Sequence, residues 1–311
     1  MQTLKFQNGD IIPQFGLGTW KSKPNEVYGS VYEAIKSGYR HIDCAYLYLN
    51  EKEVGQALHD AMSNGLVKRE ELFITSKLWN SCHHPEEVEP ALRHTLADLQ
   101  IDYIDLYLIH WPIAFRSGVN MPAGKEDLID PEELPVEVTW QAMQGLKEKG
   151  LARHLGVSNH GIRKIQRIID RTGITPEVNQ VEIHPYFQQN EMLEFCKTNN
   201  ILLTAYYPLG SPMTIRGENN LLTHPVITSI AEKQSATPAQ VLLAWGMHRG
   251  YVVIPKSIHA HRIQENIGCL EVKLDKDDMQ AIAQLDQGMR ISRAAYSIFP
   301  GGYYTEENIF E

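Results

Sequence analysis

The sequence predicts an α/β protein that folds as a (β/α)8, or TIM, barrel with an N-terminal β-hairpin and long loops at the carboxyl ends of its strands. Eight short apolar runs recur along the 311 residues, and each is followed by at least one stretch with helical periodicity. The runs are continuous rather than alternating, which is typical of parallel strands that are buried on both faces. An open doubly wound sheet usually has fewer strands, so eight repeats favour a closed barrel.

The elements follow one another in a regular order. Near the start, Asn8-Gly9 separates two short apolar runs, which predicts a β-hairpin from Leu4 to Ile12 on the floor of the barrel. Strands are predicted at residues 15–17, 41–43, 72–75, 105–110, 155–157, 178–181, 201–204 and 251–254. Helices are predicted at residues 26–37, 51–63, 86–99, 136–149, 162–171, 190–199 and 239–248, and some are followed by glycine, a common helix stop.

The loops indicate one domain. Three stretches that contain proline and glycine, residues 112–135, 208–225 and 294–311, each follow a strand or end the chain, so none resembles an interdomain linker. We therefore expect residues 1–311 to form a single domain, with long loops at the face where barrel enzymes build their sites.

The composition excludes several classes of protein. With 29 basic and 38 acidic residues, the net charge of −9 argues against a nucleic acid or an anionic membrane as partner. No apolar run is long enough for a membrane helix, and the first residues do not form a secretion signal. The histidine pairs lack the spacing of metal ligands, so no metal is expected. Four cysteines without a CxxC pair favour a cytoplasmic protein: Cys44, Cys82, Cys196 and Cys269.

Polar residues follow neighbouring strands at the edge where a barrel has its active site. Asp43 ends the second strand, Lys77 the third and His110 the fourth, and Tyr46 and Tyr48 lie just beyond Asp43. An adjacent ammonium lowers the pKa of a tyrosine from its usual value of about 10, and a carboxylate can orient that ammonium. A histidine beside the tyrosine can orient a carbonyl oxygen. Such a set could protonate the oxygen of a carbonyl that is being reduced, with a hydride from a cofactor. Any one of these residues alone is more often a solvated or structural charge.

Other motifs are weaker. Residues 16–21 lack the third glycine of a dinucleotide-binding loop, and the displacement of the last glycine to Gly161 disfavours the nucleophile elbow of a hydrolase. The tryptophans at strand ends are either core residues or the apolar wall of a substrate pocket: Trp20, Trp79 and Trp111.

Three separated segments, in order, point to one family. Residues 41–55, which begin His41-Ile42-Asp43, resemble the first signature of the aldo-keto reductases. Residues 106–112 resemble the segment that holds their active-site histidine, and residues 254–257 with Arg262 and Glu265-Asn266 resemble their late cofactor signature. Residues 156–159 and 179–182 fit as well, so the resemblance extends from the hairpin to near residue 286.

The resemblance implies a barrel that binds NADP(H), with NAD(H) as an alternative cofactor. By position, Tyr48 would be the general acid and base, Lys77 and Asp43 would tune it, and His110 would orient the carbonyl. The implied cofactor ligands are Ser158, Asn159, Gln180 and Tyr206 at the nicotinamide, Lys256, Ser257 and Arg262 at the 2′-phosphate, and Glu265 and Asn266 at the adenine. The implied substrate site consists of Trp20, Trp79, His110 and Trp111.

The substrate class is suggested by a branch of the family. Residues 66–80 and His184-Pro185-Tyr186 resemble xylose reductases and aldose-6-phosphate reductases of the aldose reductase-like branch, which implies an open-chain aldose or aldose phosphate. Arg116 and Arg293 could bind a sugar phosphate if both faced the pocket, but surface arginines are usually solvated.

Two other interpretations stay open. One is a non-catalytic NADP(H)-binding or redox-sensing protein on the same barrel, because a fold does not determine a function. The other is an alcohol or hydroxysteroid oxidoreductase, since the chemistry is reversible. The complete set of Asp43, Tyr48, Lys77 and His110 argues against the pure binder. We expect a small carbonyl compound as partner, and either a monomer or a homodimer.

Overall fold

The computed structural model describes residues 2–211 and 220–311, and its centre is a parallel sheet of eight strands. Two further strands, β1 Thr3–Lys5 and β2 Ile11–Pro13, form a separate hairpin. The eight strands of the parallel sheet are β3 Leu17–Gly18, β4 His41–Asp43, β5 Phe73–Leu78, β6 Ile104–Ile109, β7 Ala152–Ser158, β8 Val178–Glu182, β9 Leu202–Tyr206 and β10 Val252–Val253. The helices are α1 Val27–Lys36, α2 Glu51–Ser63, α3 Pro85–Leu99, α4 Val136–Glu148, α5 Ile162–Thr172, α6 Asn190–Thr198, α7 Pro225–Gln234, α8 Pro238–His248, α9 Ala260–Asn266, α10 Lys276–Ala283 and α11 Glu306–Phe310. The alternation confirms the predicted (β/α)8 fold.

The sheet closes on itself between its first and last strands. From β3 to β10, each strand pairs in parallel with the next one along the chain. The Gly16 N–H donates to the Val253 carbonyl, and the Gly18 N–H donates to the Pro255 carbonyl, both at 3.0 Å. A Cβ at Gly18 would lie 2.9 Å from the Ile254 carbonyl oxygen, so glycine permits this close approach. The segment that does not fit a dinucleotide-binding loop is therefore the seam of the barrel.

The N-terminal hairpin covers the floor, as predicted. Its strands β1 and β2 are antiparallel, with Leu4 opposite Ile12. Phe6 and Ile12 are buried in one cluster with side chains from the strands above them: Phe73, Leu106, Leu108, Val178, Val252 and Ile254. Apolar side chains thus fill much of the lower part of the barrel, below the polar residues of the upper rim.

Helices cover the outside of the sheet because their apolar positions recur at helical spacing. In α5, Ile165 and Ile168 are buried, while Arg163 and Arg171 are exposed. Gly150, two residues after the end of α4, has a φ of 69°, a conformation that favours glycine and ends the helix. The predicted helix at residues 51–63 coincides with α2.

Some elements differ from the predicted ones. Helices α7, α9, α10 and α11 were not predicted, and α9 and α11 are too short to show a clear period. Strand β3 pairs regularly only at Leu17–Gly18, since Phe15 forms a single bridge with Val253. Part of the predicted loop at 208–225 lies outside the described residues.

Two kinds of feature are absent from the described residues. None of the helices in residues 2–211 and 220–311 is long and apolar enough to cross a membrane. The same residues contain no cluster of three or more His, Cys, Asp or Glu side chains that could hold a metal ion.

Candidate active site

Three of the four residues singled out at the strand ends meet in the upper part of the barrel. Asp43 ends β4, Lys77 lies in β5, and Tyr48 ends a single 3-10 turn, Tyr46–Tyr48, that follows β4. The Lys77 Nζ is 2.6 Å from Asp43 Oδ1 and 3.1 Å from Tyr48 Oη. The side chains of Lys77 and Asp43 are 1% and 2% exposed, so the two form a buried ion pair. A phenol, an amine and a carboxylate therefore lie in direct contact.

The hydrogen bonds of Lys77 determine whether Tyr48 acts as donor or acceptor towards it. Its ammonium donates to Asp43 Oδ1, to the Cys44 carbonyl at 2.7 Å and to Tyr48 Oη. An ammonium has three hydrogens, so all of its donors are used. Tyr48 accepts one of them, and its own hydrogen is left free to be donated to a different acceptor.

The second oxygen of Asp43 is also bonded. Asp43 Oδ2 accepts from Gln180 Nε2 at 2.7 Å, so both carboxylate oxygens have partners, as a buried charge requires. Gln180 comes from β8, on the other side of the barrel from β4. The sequence suggested Gln180 only as a cofactor ligand, and its bond to Asp43 links the cofactor candidates to the catalytic ones.

Burial raises the pKa of Tyr48 well above its usual value, and the carboxylate of Asp43 raises it further. This direction is opposite to the one expected from an adjacent lysine. The physical reason is that Asp43 sits 2.6 Å from the same ammonium, so the phenol faces a nearly neutral pair inside a desolvated site. Tyr48 is therefore fully protonated near neutral pH and holds a proton ready to be donated.

His110 follows β6 and lies among aromatic rings. Its ring centroid is 6.0 Å from that of Tyr48 and 5.3 Å from that of Trp79. Burial lowers its pKa well below the usual value, and Lys77 lowers it further, so the imidazole is neutral. Its Nδ1 is buried without a hydrogen-bond partner in the described part of the chain. A neutral imidazole at this place can orient a polar group by a hydrogen bond without adding charge.

The residues that the resemblance assigned to the nicotinamide form one network beside this set. Asn159 Nδ2 donates to the His110 carbonyl at 2.9 Å, and Tyr206 Oη donates to Asn159 Oδ1 at 2.7 Å. Ser158 Oγ donates to the Gln180 carbonyl at 2.8 Å. The structure therefore brings Ser158, Asn159, Gln180 and Tyr206 together, next to His110.

The residues assigned to the adenosine end lie after β10 and in α9. Lys256 is half-buried and Arg262 is exposed, and neither takes part in an ion pair within the described ranges. Ser257 and Asn266 are buried, whereas Glu265 is exposed. Two unpaired cations near a common strand end are suited to an anionic group.

Aromatic rings line the approach to Tyr48 and His110. The ring centroid of Trp20 is 4.8 Å from that of Tyr48, and Trp79 is held by a bond from its Nε1 to the Asn120 carbonyl at 2.9 Å. Trp111 packs 6.4 Å from His110. All three tryptophans thus belong to the wall of the site.

The tail supplies a wall residue that sequence reasoning missed. Tyr296 lies with its ring centroid 6.3 Å from Trp79, 6.0 Å from Trp111 and 6.2 Å from Phe115. Phe310, in α11, packs 6.0 Å from Trp111. No pattern in the sequence of the tail identified these two rings.

The two arginines considered for a sugar phosphate lie elsewhere. Arg116 is exposed and donates from Nε to the Glu126 carbonyl at 2.8 Å. Arg293 is 62% exposed, with its Nε 3.7 Å from Glu306. Arg290 is the tail arginine that is partly buried, with its guanidinium 3.7 Å from the ring centroid of Phe310 and 4.5 Å from that of Phe187.

Comparisons with known proteins agree on one family. The model of the aldo/keto reductase family matches residues 13–287. An aldo/keto reductase from Synechocystis sp. is 46% identical over 316 residues, which cover 100% of this chain and 97% of that protein. Aldo-keto reductase family 1 member A1 from Gallus gallus is 46% identical over 288 residues, covering 91% of this chain and 88% of that protein. The solved aldose reductase from Schistosoma japonicum superposes with a TM-score of 0.89 at 40% identity, covering 95% and 96% of the two chains.

Proposed function

Because this chain belongs to the aldo/keto reductase family and is an oxidoreductase of carbonyl compounds, we propose that it reduces an aldehyde to the alcohol with NADPH, and that Tyr48 donates the proton. The observation that supports this most directly is the bond from Lys77 Nζ to Tyr48 Oη at 3.1 Å, which leaves the phenol hydrogen free. Nicotinamide cofactors are general in this family, and when bound the reduced ring supplies the hydride that no side chain can provide.

The proton transfer follows from the geometry of the four residues. The carbonyl carbon gains the hydride and its oxygen takes the proton of Tyr48, so the product is a neutral alcohol. The phenolate left behind lies against the Lys77 ammonium, which stabilises the negative charge as it forms. Asp43 holds that ammonium in place, and the neutral imidazole of His110 orients the carbonyl oxygen. Solvent then returns a proton to Tyr48.

The cofactor assignment rests on the polar groups beside this set. Ser158, Asn159 and Gln180 offer buried hydroxyl and amide groups that suit a carboxamide, and Tyr206 offers a ring on which the nicotinamide can stack. The unpaired Lys256 and Arg262, with Ser257, suit the 2′-phosphate that distinguishes NADPH from NADH. Glu265 and Asn266 would contact the adenine.

The substrate proposal is an open-chain aldose. The aromatic wall of Trp20, Trp79 and Trp111 suits the carbon chain of an aldehyde, and Tyr48 and His110 suit its oxygen. A phosphorylated sugar is less favoured, because Arg116 and Arg293 are exposed and bonded elsewhere. The specific likeness to xylose reductases stays a prediction.

The proposal also covers the domain organisation, the location and the oligomeric state of the protein. Residues 1–311 form one folding unit, as the closure of the sheet by Gly16 and Gly18 suggests. The chain acts in the cytoplasm on a small carbonyl substrate, and monomer and homodimer both remain compatible with it.

The test is a panel of aldoses, aldose phosphates and aromatic aldehydes, assayed by the oxidation of NADPH and of NADH. Tyr48→Phe should lower kcat by about 10³-fold or more while NADPH still binds, since a positioned acid typically contributes 10²- to 10⁴-fold. Tyr46→Phe is the matched control in the same turn, because Tyr46 packs on His94 and has no bond to Lys77, and it should stay near the wild type.

Two outcomes would contradict the proposal. Undiminished turnover in Tyr48→Phe would exclude Tyr48 as the proton donor. A wild-type protein that binds NADPH in a fluorescence titration, yet leaves it unreacted with every aldehyde, would be the non-catalytic binder that the fold also permits.

A further inference from the structure

One buried acid beside the site has no role in the proton transfer described above. Glu51 is the first residue of α2, three positions after Tyr48, and its side chain is 3% exposed. Buried carboxyl groups are costly unless hydrogen bonds compensate them, so the contacts of this one indicate what it does.

Glu51 bonds to two different elements of the barrel. Ser76 Oγ in β5 donates to Glu51 Oε1 at 2.5 Å, and Thr95 Oγ1 in α3 donates to Glu51 Oε2 at 3.1 Å. Ser76 directly precedes Lys77, so the carboxyl group connects the segment after Tyr48 to the strand that holds the ammonium.

A second bond fixes the same segment from the other side. Asn50 Nδ2 donates to the Thr19 carbonyl at 3.0 Å, next to the seam of the barrel. Leu49, between Tyr48 and Asn50, has a φ of 55°, so the chain turns sharply here and depends on its neighbours to hold this conformation. Asn50 and Glu51 thus hold the segment that directly follows Tyr48.

We propose that Glu51 is a positioning residue, which holds Tyr48 against Lys77 by bridging the start of α2 to Ser76 in β5. This inference rests on the proposed role of Tyr48 as proton donor. Its contribution passes through Ser76 more than through Thr95, because only Ser76 is adjacent to the lysine.

The charge of Glu51 also affects the pKa of the Tyr48 phenol. Burial raises the pKa of Glu51 to about 7, and the bonds from Ser76 and Thr95 oppose that rise. The pKa of Tyr48 is far above this range and that of His110 far below it, so of these three groups only Glu51 changes charge near neutral pH. The charged and titratable groups that face it are Lys77 of β5, Asp98 of α3, Tyr107 of β6, and Cys44 and Tyr48 after β4.

The sign of the effect on catalysis follows. When Glu51 loses its proton, a negative charge near Tyr48 makes the phenolate harder to form, so Tyr48 becomes a poorer proton donor. Reduction catalysed by the wild type should therefore slow as the pH rises through about 7.

The experiment measures kcat and KM for aldehyde reduction from pH 5.5 to 9 in four test variants and one control variant of the full chain. Glu51→Ala should lower kcat by about 10-fold at saturating cofactor, since small misplacements of a catalytic group are costly. Glu51→Gln keeps the shape and both hydrogen bonds, because hydroxyls can accept as well as donate. It should retain kcat at low pH and lose the decline near pH 7.

Ser76→Ala and Thr95→Val separate the two bridges. Ser76→Ala should lower kcat more than Thr95→Val does, with KM for the aldehyde changed less than kcat in both. The matched control is Asp105→Asn, another buried carboxyl group, which lies at the opposite end of β6 from the site. It should leave the pH profile of kcat unchanged.

The outcomes separate this inference from the proposed function. If Glu51→Gln shows the same decline with pH as the wild type, or if Ser76→Ala and Glu51→Ala keep full kcat, the inference is wrong while aldehyde reduction stands. If Glu51→Ala does not fold, the results for Glu51→Gln and Ser76→Ala still decide whether Glu51 positions Tyr48. If Tyr48→Phe is fully active, the proposed function itself fails.

Discussion

Both ends of the barrel hold buried charges, and the two ends use them differently. On the floor, the Asp105 carboxylate lies 2.7 Å from Arg69 and accepts the Ile74 N–H at 2.9 Å. His154 is 2% exposed, and its two nitrogens lie 2.9 Å from Glu177 and 3.2 Å from Asp10. These groups face partners that belong to the fold.

At the rim the same kinds of groups leave capacity for a ligand. The Lys77 ammonium is fully bonded, but the hydrogen of Tyr48 is not used by the described residues. Where a charge is paired with a group of the fold, as Asp105 is with Arg69, it contributes to stability. Where one donor is left over, in a buried site with a fixed geometry, the protein has a group that a substrate can use.

The strongest way to break this comparison is to remove one cation from each end. Lys77→Met should lower kcat by about 10³-fold, because the phenolate loses the charge that stabilises it. Arg69→Met should leave kcat within about twofold, yet lower the free energy of unfolding by about 3 kcal/mol, since Asp105 loses its 2.7 Å partner. Steady-state kinetics and urea unfolding measure the two effects. A large loss of activity in Arg69→Met would show that the floor is coupled to the chemistry.

The pH dependence of stability sharpens the comparison, because the pKa of Glu51 at the rim and the pKa of Glu177 on the floor are shifted in opposite directions. Burial raises the pKa of Glu51 to about 7, so the folded protein binds this proton more tightly than the unfolded chain does. Its contribution is present at low pH and is lost as the pH rises from about 4.5 to about 7, on the order of 3 kcal/mol at most. Glu51→Gln should therefore gain stability relative to the wild type over this rise.

Glu177 on the floor should show the opposite trend to Glu51. Burial raises the pKa of Glu177, but hydrogen bonds from His154 and the Leu155 N–H outweigh it, and the net shift is downward. Its contribution is present above the usual glutamate pKa and disappears as the pH falls. Glu177→Gln should lower the free energy of unfolding by about 1 kcal/mol at pH 7 and by less at pH 4. Curves with the same sign for both variants would contradict the contrast between Glu51 and Glu177.

Much of this arrangement could be predicted from the sequence, and the reasons for the exceptions are physical. Continuous apolar runs predicted the eight strands, because a strand that is buried on both faces is apolar throughout. Helical periodicity predicted the larger helices, because a helix that is buried on one face has apolar residues at every third or fourth position. The convergence of Asp43, Lys77 and His110 followed from a rule of the fold, that strand ends meet at one rim.

The exceptions depend on contacts between residues that are distant in the chain. The direction of the Tyr48 pKa shift depends on the burial of the phenol and on the nearby Asp43 carboxylate, which no motif reveals. The bonds of Glu51 to Ser76 and Thr95 span 25 and 44 residues. Tyr296 reaches the site only because the tail folds back over Trp111.

The smallest expected effect concerns the outer partner of the floor histidine. Asp10 is 58% exposed, so its 3.2 Å contact with His154 is screened by solvent, whereas Phe6 stacks on the same ring at 3.7 Å with an 8° angle between the planes. If stacking and Glu177 hold the hairpin in place, Asp10→Asn should change the free energy of unfolding by about 0.5 kcal/mol or less and leave kcat unchanged. Urea unfolding at low and high salt measures it, with Glu177→Gln as the reference. A larger loss in Asp10→Asn than in Glu177→Gln would mean that the exposed charge, and not the buried contacts, fixes the hairpin to the floor.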